Sequence, residues 1–129
     1  AHTHVTLHYT SSSLLPPLVA DENQIRQMLI NLLLNAIQAQ PDGGAVFIST
    51  HYDPQRQIIH LVVQDKGPGI AQEQISEIWK PFFTTKETGT GLGLAIVHRI
   101  VQDHRGTITC VSEPGKGACF QVSLPVESS

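Results

Sequence analysis

The chain has 129 residues, 40% hydrophobic and 15% charged, with a formal net charge of -3. That length suits one compact domain over residues 1–129, burying roughly two-thirds of its unfolded surface, and excludes two. The eight Lys and Arg residues are scattered, so no basic face argues for nucleic acid or a membrane surface.

His4 to Thr10 alternates Val5, Leu7 and Tyr9 against His4, Thr6 and His8, the period of a half-buried strand. After a Ser-rich connector with Pro16 and Pro17, residues 17–20 are expected as a short edge strand. Asp21 is the predicted N-cap of a helix running to Gln40 and ended by Pro41-Asp42-Gly43-Gly44. Ala45 to Tyr52 and Gln57 to Gln64 are rich in Val and Ile and read as an antiparallel hairpin leading to Asp65. Ala71 to Trp79 carries Ile75 and Ile78 at helical spacing, and Lys80 to Thr88 is irregular and expected as a mobile lid. Gly91 to His104 predicts a second long helix with Leu94, Ile96, Val97, Ile100 and Val101 toward a core, stopped by Gly106. Thr107 to Ser112 and Ala118 to Leu124 form a closing hairpin through Glu113-Pro114-Gly115-Lys116-Gly117. The sum is an α+β sandwich, a mixed sheet of about five strands covered by helices on one face.

The chain begins at Ala1 with a strand pattern at once, which suggests a piece of a longer protein. Two cysteines, Cys110 and Cys119, and no start resembling a signal peptide set the expectation of a reducing, cytoplasmic compartment. The apolar run Ile25 to Ile37 is broken by Arg26, Gln27, Asn31 and Asn35 and is too short to span a bilayer. The longer protein would be either soluble or tethered to a membrane.

Chemistry concentrates in three places. Gln24, Gln27, Asn31, Asn35 and Gln38 recur at helical spacing, so a polar stripe crosses a nearly apolar helix. Such amides either satisfy neighbouring backbone groups or offer a neutral oxygen to a hard cation such as Mg2+. Asp65-Lys-Gly-Pro-Gly69 either begins a simple Asx turn or sets a purine-reading carboxylate beside the close-approach glycines Gly67 and Gly69, with Ile70 as an apolar wall. An ionised carboxylate accepts and does not donate, so it suits the exocyclic amine of adenine and rejects the carbonyl of guanine; the ligand expected is ATP. Gly89-Thr90-Gly91-Leu92-Gly93-Leu94 is either a hinge or, opening a helix, an anion site of unpaired N–H groups at the positive end of a dipole. Lys86, with Thr84 and Thr85 beside it, is either a solvated lysine or an added cation. No Gly-x-x-x-x-Gly-Lys-Ser/Thr run occurs, and neither glycine cluster follows a strand with dinucleotide-fold spacing.

Asn31-Leu-Leu-Leu-Asn35-Ala-Ile, Asp65-Lys-Gly-Pro-Gly69, Pro81-Phe-Phe83-Thr-Thr-Lys86 and Gly89-Thr-Gly-Leu-Gly-Leu94 resemble, in order and spacing, the N, G1, F and G2 boxes of sensor histidine kinases. The short stretch between Phe83 and Gly89 resembles the short-lid subgroup that includes the nitrogen-regulation sensors. The resemblance implies the Bergerat ATP-binding fold, Asn35 as the Mg2+ ligand, Asp65 as the adenine reader, the backbone from Gly89 to Gly93 as triphosphate cradle and Asn31 near the phosphates. Two positions depart from it. Gln38 stands where many members carry Lys, a charge Lys86 could replace, and Gly117-Ala-Cys119-Phe120 lacks the hydroxyl that often reaches adenine through water.

In related hydrolases such as gyrase a water-activating Glu precedes the metal-binding Asn by one helical turn. Here that position is Asn31, and an amide is no general base, so transfer to another group is favoured over hydrolysis. None of the seven histidines is followed by the Glu or Asp of the family's acceptor box, so the acceptor is expected outside the chain. His98 is expected to serve in packing or at the surface. The implied partners are a histidine-bearing dimerisation domain of the same kinase and a downstream response regulator, with the isolated domain monomeric. A protein-serine kinase of the anti-sigma type and a nucleotide-responsive module without transfer are the rival readings.

Overall fold

The computed structural model describes residues 4–11, 14–81 and 93–126. Strand β1 (Val5–Ser11) leads to helix α1 (Glu22–Gln38), then strands β2 (Gly44–Asp53) and β3 (Ile58–Asp65). Helix α2 (Gly93–Asp103) follows, and strands β4 (Thr107–Ser112) and β5 (Ala118–Pro125) close the fold. The five strands form one sheet in the order β1-β2-β3-β5-β4. β1 pairs parallel to β2, while β2–β3, β3–β5 and β4–β5 are antiparallel. The parallel pair requires a crossover, and α1 supplies it; α2 does the same between β3 and β4, which run the same way on either side of β5.

The pleat sorts the side chains. Val46, Leu61, Val63, Phe120, Val122 and Leu124 are buried together with Met28, Leu32 and Ala36 of α1 and Val97, Ile100 and Val101 of α2. Both helices therefore lie on one face. The alternate residues, among them Phe47, His60 and Gln64, take the other face, where Phe47 is sandwiched between the His8 ring at 4.9 Å and the Lys66 ammonium at 5.3 Å.

Local chemistry fixes the helix ends. Asp21 caps α1, its carboxylate accepting from the Gln24 N–H at 3.0 Å. Its own N–H donates to His104 Nε2 at 3.1 Å, so His104 carries its ring proton on Nδ1 and donates it to the Ile100 carbonyl at 2.8 Å. That ring ties the start of α1 to the end of α2. At the other end of α1, Gln40 folds back: its Nε2 donates to the Ala36 and Ala45 carbonyls, and its Oε1 accepts from the Ala45 N–H. The side chain thus satisfies an orphan helix carbonyl and starts β2 with one amide.

Two expectations are corrected. Residues 17–20 form no strand, because Pro16 and Pro17 have no N–H to donate to a ladder; Val19 instead gives one bond to the Val126 carbonyl at 3.1 Å. From Ala71 only Gln72–Gln74 is a 3-10 turn, and the segment then continues through i to i+3 bonds such as Glu77 N–H to the Gln74 carbonyl. Its anchor is aromatic. Trp79 stacks on His98 of α2 at 5.6 Å and meets Phe120 edge-on at 5.9 Å, which gives His98 the structural role expected of it.

Candidate functional site

Asp65 ends β3, a central strand, and is only 2% exposed. A charge so deep must be hydrogen-bonded to persist. Its Oδ1 accepts from the Gly67 N–H at 2.8 Å and from the Ala118 N–H at 3.2 Å, so both the loop after β3 and the start of β5 aim donors at it.

The loop from Lys66 to Ile70 is shaped by neighbours that admit only glycine. A Cβ on Gly67 would stand 2.6 Å from the Ala39 carbonyl oxygen, so the loop lies directly on the C-terminal turn of α1. Gly69 has φ +81 and its missing Cβ would overlap the Glu113 carbonyl; Gly117 has φ +82 and its own would overlap the Asp65 carbonyl. Ile70 packs against the core.

The polar stripe of α1 leads to the same place. Ala39 donates to the Asn35 carbonyl at 3.1 Å, so Asn35 lies one turn before the residue that Gly67 touches. Asn31 lies one turn further back, and its Nδ2 is buried without a hydrogen-bond partner among the described residues. Buried donors are seldom left so unless something else is to meet them. Gly93 is the first described residue of α2, no described residue would meet a Cβ there, and Leu94 packs on the core.

Gln38, the last residue of α1, is exposed. Cys119 pairs with Gln64 in the register that sets Val63 opposite Phe120, so its side chain takes the face away from the helices, and Ala118 is the β5 residue whose N–H meets the carboxylate. Phe83, Thr84, Thr85, Lys86, Gly89, Thr90, Gly91 and Leu92, with most of the expected lid, lie outside the described residues.

The thiols carry a pH signature. Burial, with smaller contributions from Cys119 and Asp65, pushes Cys110 up from 9.0 to about 11; burial and Asp65 also push Cys119 up. Raised pKa values mean that the unfolded thiols release their protons first, so stability falls as pH rises from 9.0 toward about 11. At pH 8 iodoacetamide should alkylate Cys110, followed by its peptide, at least about tenfold more slowly in the folded chain than in the urea-unfolded chain, since one unit of pKa is tenfold in thiolate. Equal rates would contradict this burial.

Reasoning from sequence missed Ser112. It is 3% exposed, and its hydroxyl accepts from the Ile70 N–H at 2.7 Å and donates to the Gly117 carbonyl at 2.8 Å. It also missed Gln72, whose Nε2 donates to the Ser112 carbonyl at 2.6 Å. A polar residue at a strand end carries no spacing signal that could have found either.

A mixed sheet covered on one face by two helices, with a buried carboxylate at a central strand's end set among glycines and beside stacked amides, defines the class of Bergerat-fold domains. The chain belongs to the histidine kinase-, DNA gyrase B- and HSP90-like ATPase family, whose model matches residues 20–128. It is 49% identical over 108 residues to sporulation kinase C of Bacillus subtilis, covering 84% of this chain and 25% of that protein. It is 43% identical over 122 residues to the sensor histidine kinase ZraS of Escherichia coli K12, covering 95% of this chain and 26% of that protein. The chain thus spans about a quarter of the length of these curated relatives.

Solved structures agree. The nucleotide-free catalytic domain of the histidine kinase ThkA matches with TM-score 0.81 and 32% identity over 95% of this chain and 79% of that one. Full-length ShkA in complex with AMPPNP matches with TM-score 0.85 and 32% identity over 97% of this chain and 26% of that one. ThkA in complex with the response regulator TrrA matches with TM-score 0.80 and 29% identity over 95% of this chain and 34% of that one. Among the described residues no helix is long and apolar enough to cross a membrane.

Proposed function

We propose that this chain is one catalytic domain that binds Mg-ATP and donates the γ-phosphoryl group to a histidine carried on a dimerisation domain of the same longer protein. The observation that carries the reading is Asp65, a buried carboxylate whose acceptor positions are set by Gly67 and Ala118 at the mouth of a glycine-shaped loop. Asp65 takes the adenine amine, Ile70 walls the ring, and Gly67 and Gly69 let the backbone approach it. Leu94 and Gly93 open α2 beside it, and the N–H groups of 89–93 receive the triphosphate. Lys86, Thr84, Thr85 and Thr90 add charge and hydroxyl donors, and Phe83 flanks them.

Magnesium fits the donor set. Asn35 offers a hard amide oxygen and Asn31 keeps a buried amide N–H without a partner among the described residues, as a site awaiting a hydrated ion and phosphates would. When bound, the ion neutralises charge on the phosphates. The chain's own side chains position and shield the nucleotide and supply little covalent chemistry. With an amide at 31, no carboxylate activates water there, and the phosphoryl group is kept for transfer.

A response regulator downstream, a cytoplasmic setting and a monomeric isolated domain complete the proposal. The regulator complex of ThkA and the sensor kinases among the relatives support it. Calorimetry tests the metal. Mg2+ should strengthen ATP binding to the wild-type chain, and Asn35→Ala should lose on the order of tenfold in Mg-ATP affinity while binding ATP in excess EDTA as the wild type does. An unchanged magnesium response in Asn35→Ala would remove that residue as the ligand.

A further inference from the structure

The hairpin between β4 and β5 grips the Asp65 loop at more points than chain closure requires. The Gly115 N–H donates to the Pro68 carbonyl at 2.6 Å, the Ala118 N–H to Asp65, and Gln72 to the Ser112 carbonyl. A Cβ on Gly69 of the loop would overlap the Glu113 carbonyl of the hairpin, and one on Gly117 of the hairpin would overlap the Asp65 carbonyl, so the two segments lie in direct contact. At the centre is one buried hydroxyl. Ser112 Oγ takes the Ile70 N–H from the loop and gives its proton to the Gly117 carbonyl of the hairpin, using its donor and an acceptor lone pair in one bridge.

We propose that Ser112 is a positioning residue for base recognition: through Ile70 and Gly117 it sets the distance between the apolar wall and the Asp65 carboxylate, and so the fit to adenine. The inference rests on the adenine-binding reading above. The two groups it bridges have different duties. Ile70 is the wall, and Gly117 precedes Ala118, whose N–H orients Asp65. Removing the hydroxyl leaves a buried N–H and a buried carbonyl without their partner, and both relax in opposite directions across the base site. Phosphate contacts are made elsewhere, so the loss concerns which base is bound more than whether a triphosphate is held.

The experiment measures ATP and GTP binding by calorimetry for the wild-type chain, Ser112→Ala, Ser112→Thr and Asp65→Ala. Ser112→Ala should weaken ATP about tenfold and GTP less than about twofold, so that the preference for ATP falls several-fold, while Ser112→Thr restores it. Equal weakening of ATP and GTP, or ATP binding by Ser112→Ala equal to wild type, overturns the role given to Ser112. Should Ser112→Ala not fold, Gln72→Ala removes only the bond to the Ser112 carbonyl from an exposed residue. It should reduce the ATP preference about threefold, and an unaltered preference overturns the proposal. If Asp65→Ala binds ATP as the wild type does, it is the adenine-binding reading that fails, a result distinct from either Ser112 outcome.

Discussion

Asp65→Ala should lose on the order of a hundredfold in ATP affinity, enough to abolish binding at ordinary protein concentrations. A hydrogen bond to a charged, buried group contributes about 1.5–3 kcal/mol, and tenfold in affinity is about 1.4 kcal/mol. The substitution also releases the Gly67 and Ala118 N–H groups that Oδ1 holds, so the loop loses its anchor together with its reader. Asp65→Asn separates the two effects. Its amide oxygen can keep both backbone donors, while its NH2 now faces the purine edge as a donor. ATP should weaken, and inosine or guanosine triphosphate, with a carbonyl at that edge, should gain relative to it. Calorimetry with the three nucleotides checks this, and an Asp65→Ala chain with wild-type affinity would refute the assignment.

Phe120→Ala should cost about 3–5 kcal/mol of stability, the range for emptying a large aromatic site in a core. The ring is 1% exposed, belongs to the core shared with residues of both helices, and holds Trp79 edge-on at 5.9 Å. A domain's whole stability is about 5–15 kcal/mol, so the variant should sit near the edge of folding, with its melting temperature lower by on the order of 15 °C. The test is thermal unfolding followed by circular dichroism, with and without saturating ATP. Nucleotide should raise the melting temperature of the variant as it does that of the wild type, because Phe120 faces the core and the base site begins at Ala118. A drop of only a degree or two would mean that the core is looser than its burial indicates.

These effects differ in how far the sequence foretold them. Asp65 stands at the end of an alternating strand and just before two glycines, so both periodicity and turn chemistry point at it. The Asp21 cap and the helix it opens are likewise local signals, and the structure returns that helix within two residues of its expected end at Gln40. The face that Cys119 takes was not legible, for a physical reason. A single residue of register decides which sheet face a side chain takes, and only the pairing of Gln64 with Cys119 shows that Ala118 is the inward neighbour. Gln40 and Ser112 were invisible for another reason. Ser112 meets Ile70 across a tertiary contact that no composition or spacing encodes, and the bonds of Gln40 to Ala36 and Ala45 depend on how the chain turns after α1.

The division of labour follows from these placements. The sheet fixes Asp65, the closing hairpin shapes its loop, and α1 brings its amides past the loop's far side. No described histidine is followed by an acidic residue, and the proposed acceptor is a histidine on the dimerisation domain. The most direct test combines this chain with γ-labelled ATP, magnesium and the histidine-bearing dimerisation domain in trans, followed by acid and alkali treatment of the product. The account predicts label on the dimerisation domain that is lost in acid, kept in alkali and absent with Asp65→Ala. Acid-stable label, or free labelled phosphate without any transfer, would contradict it.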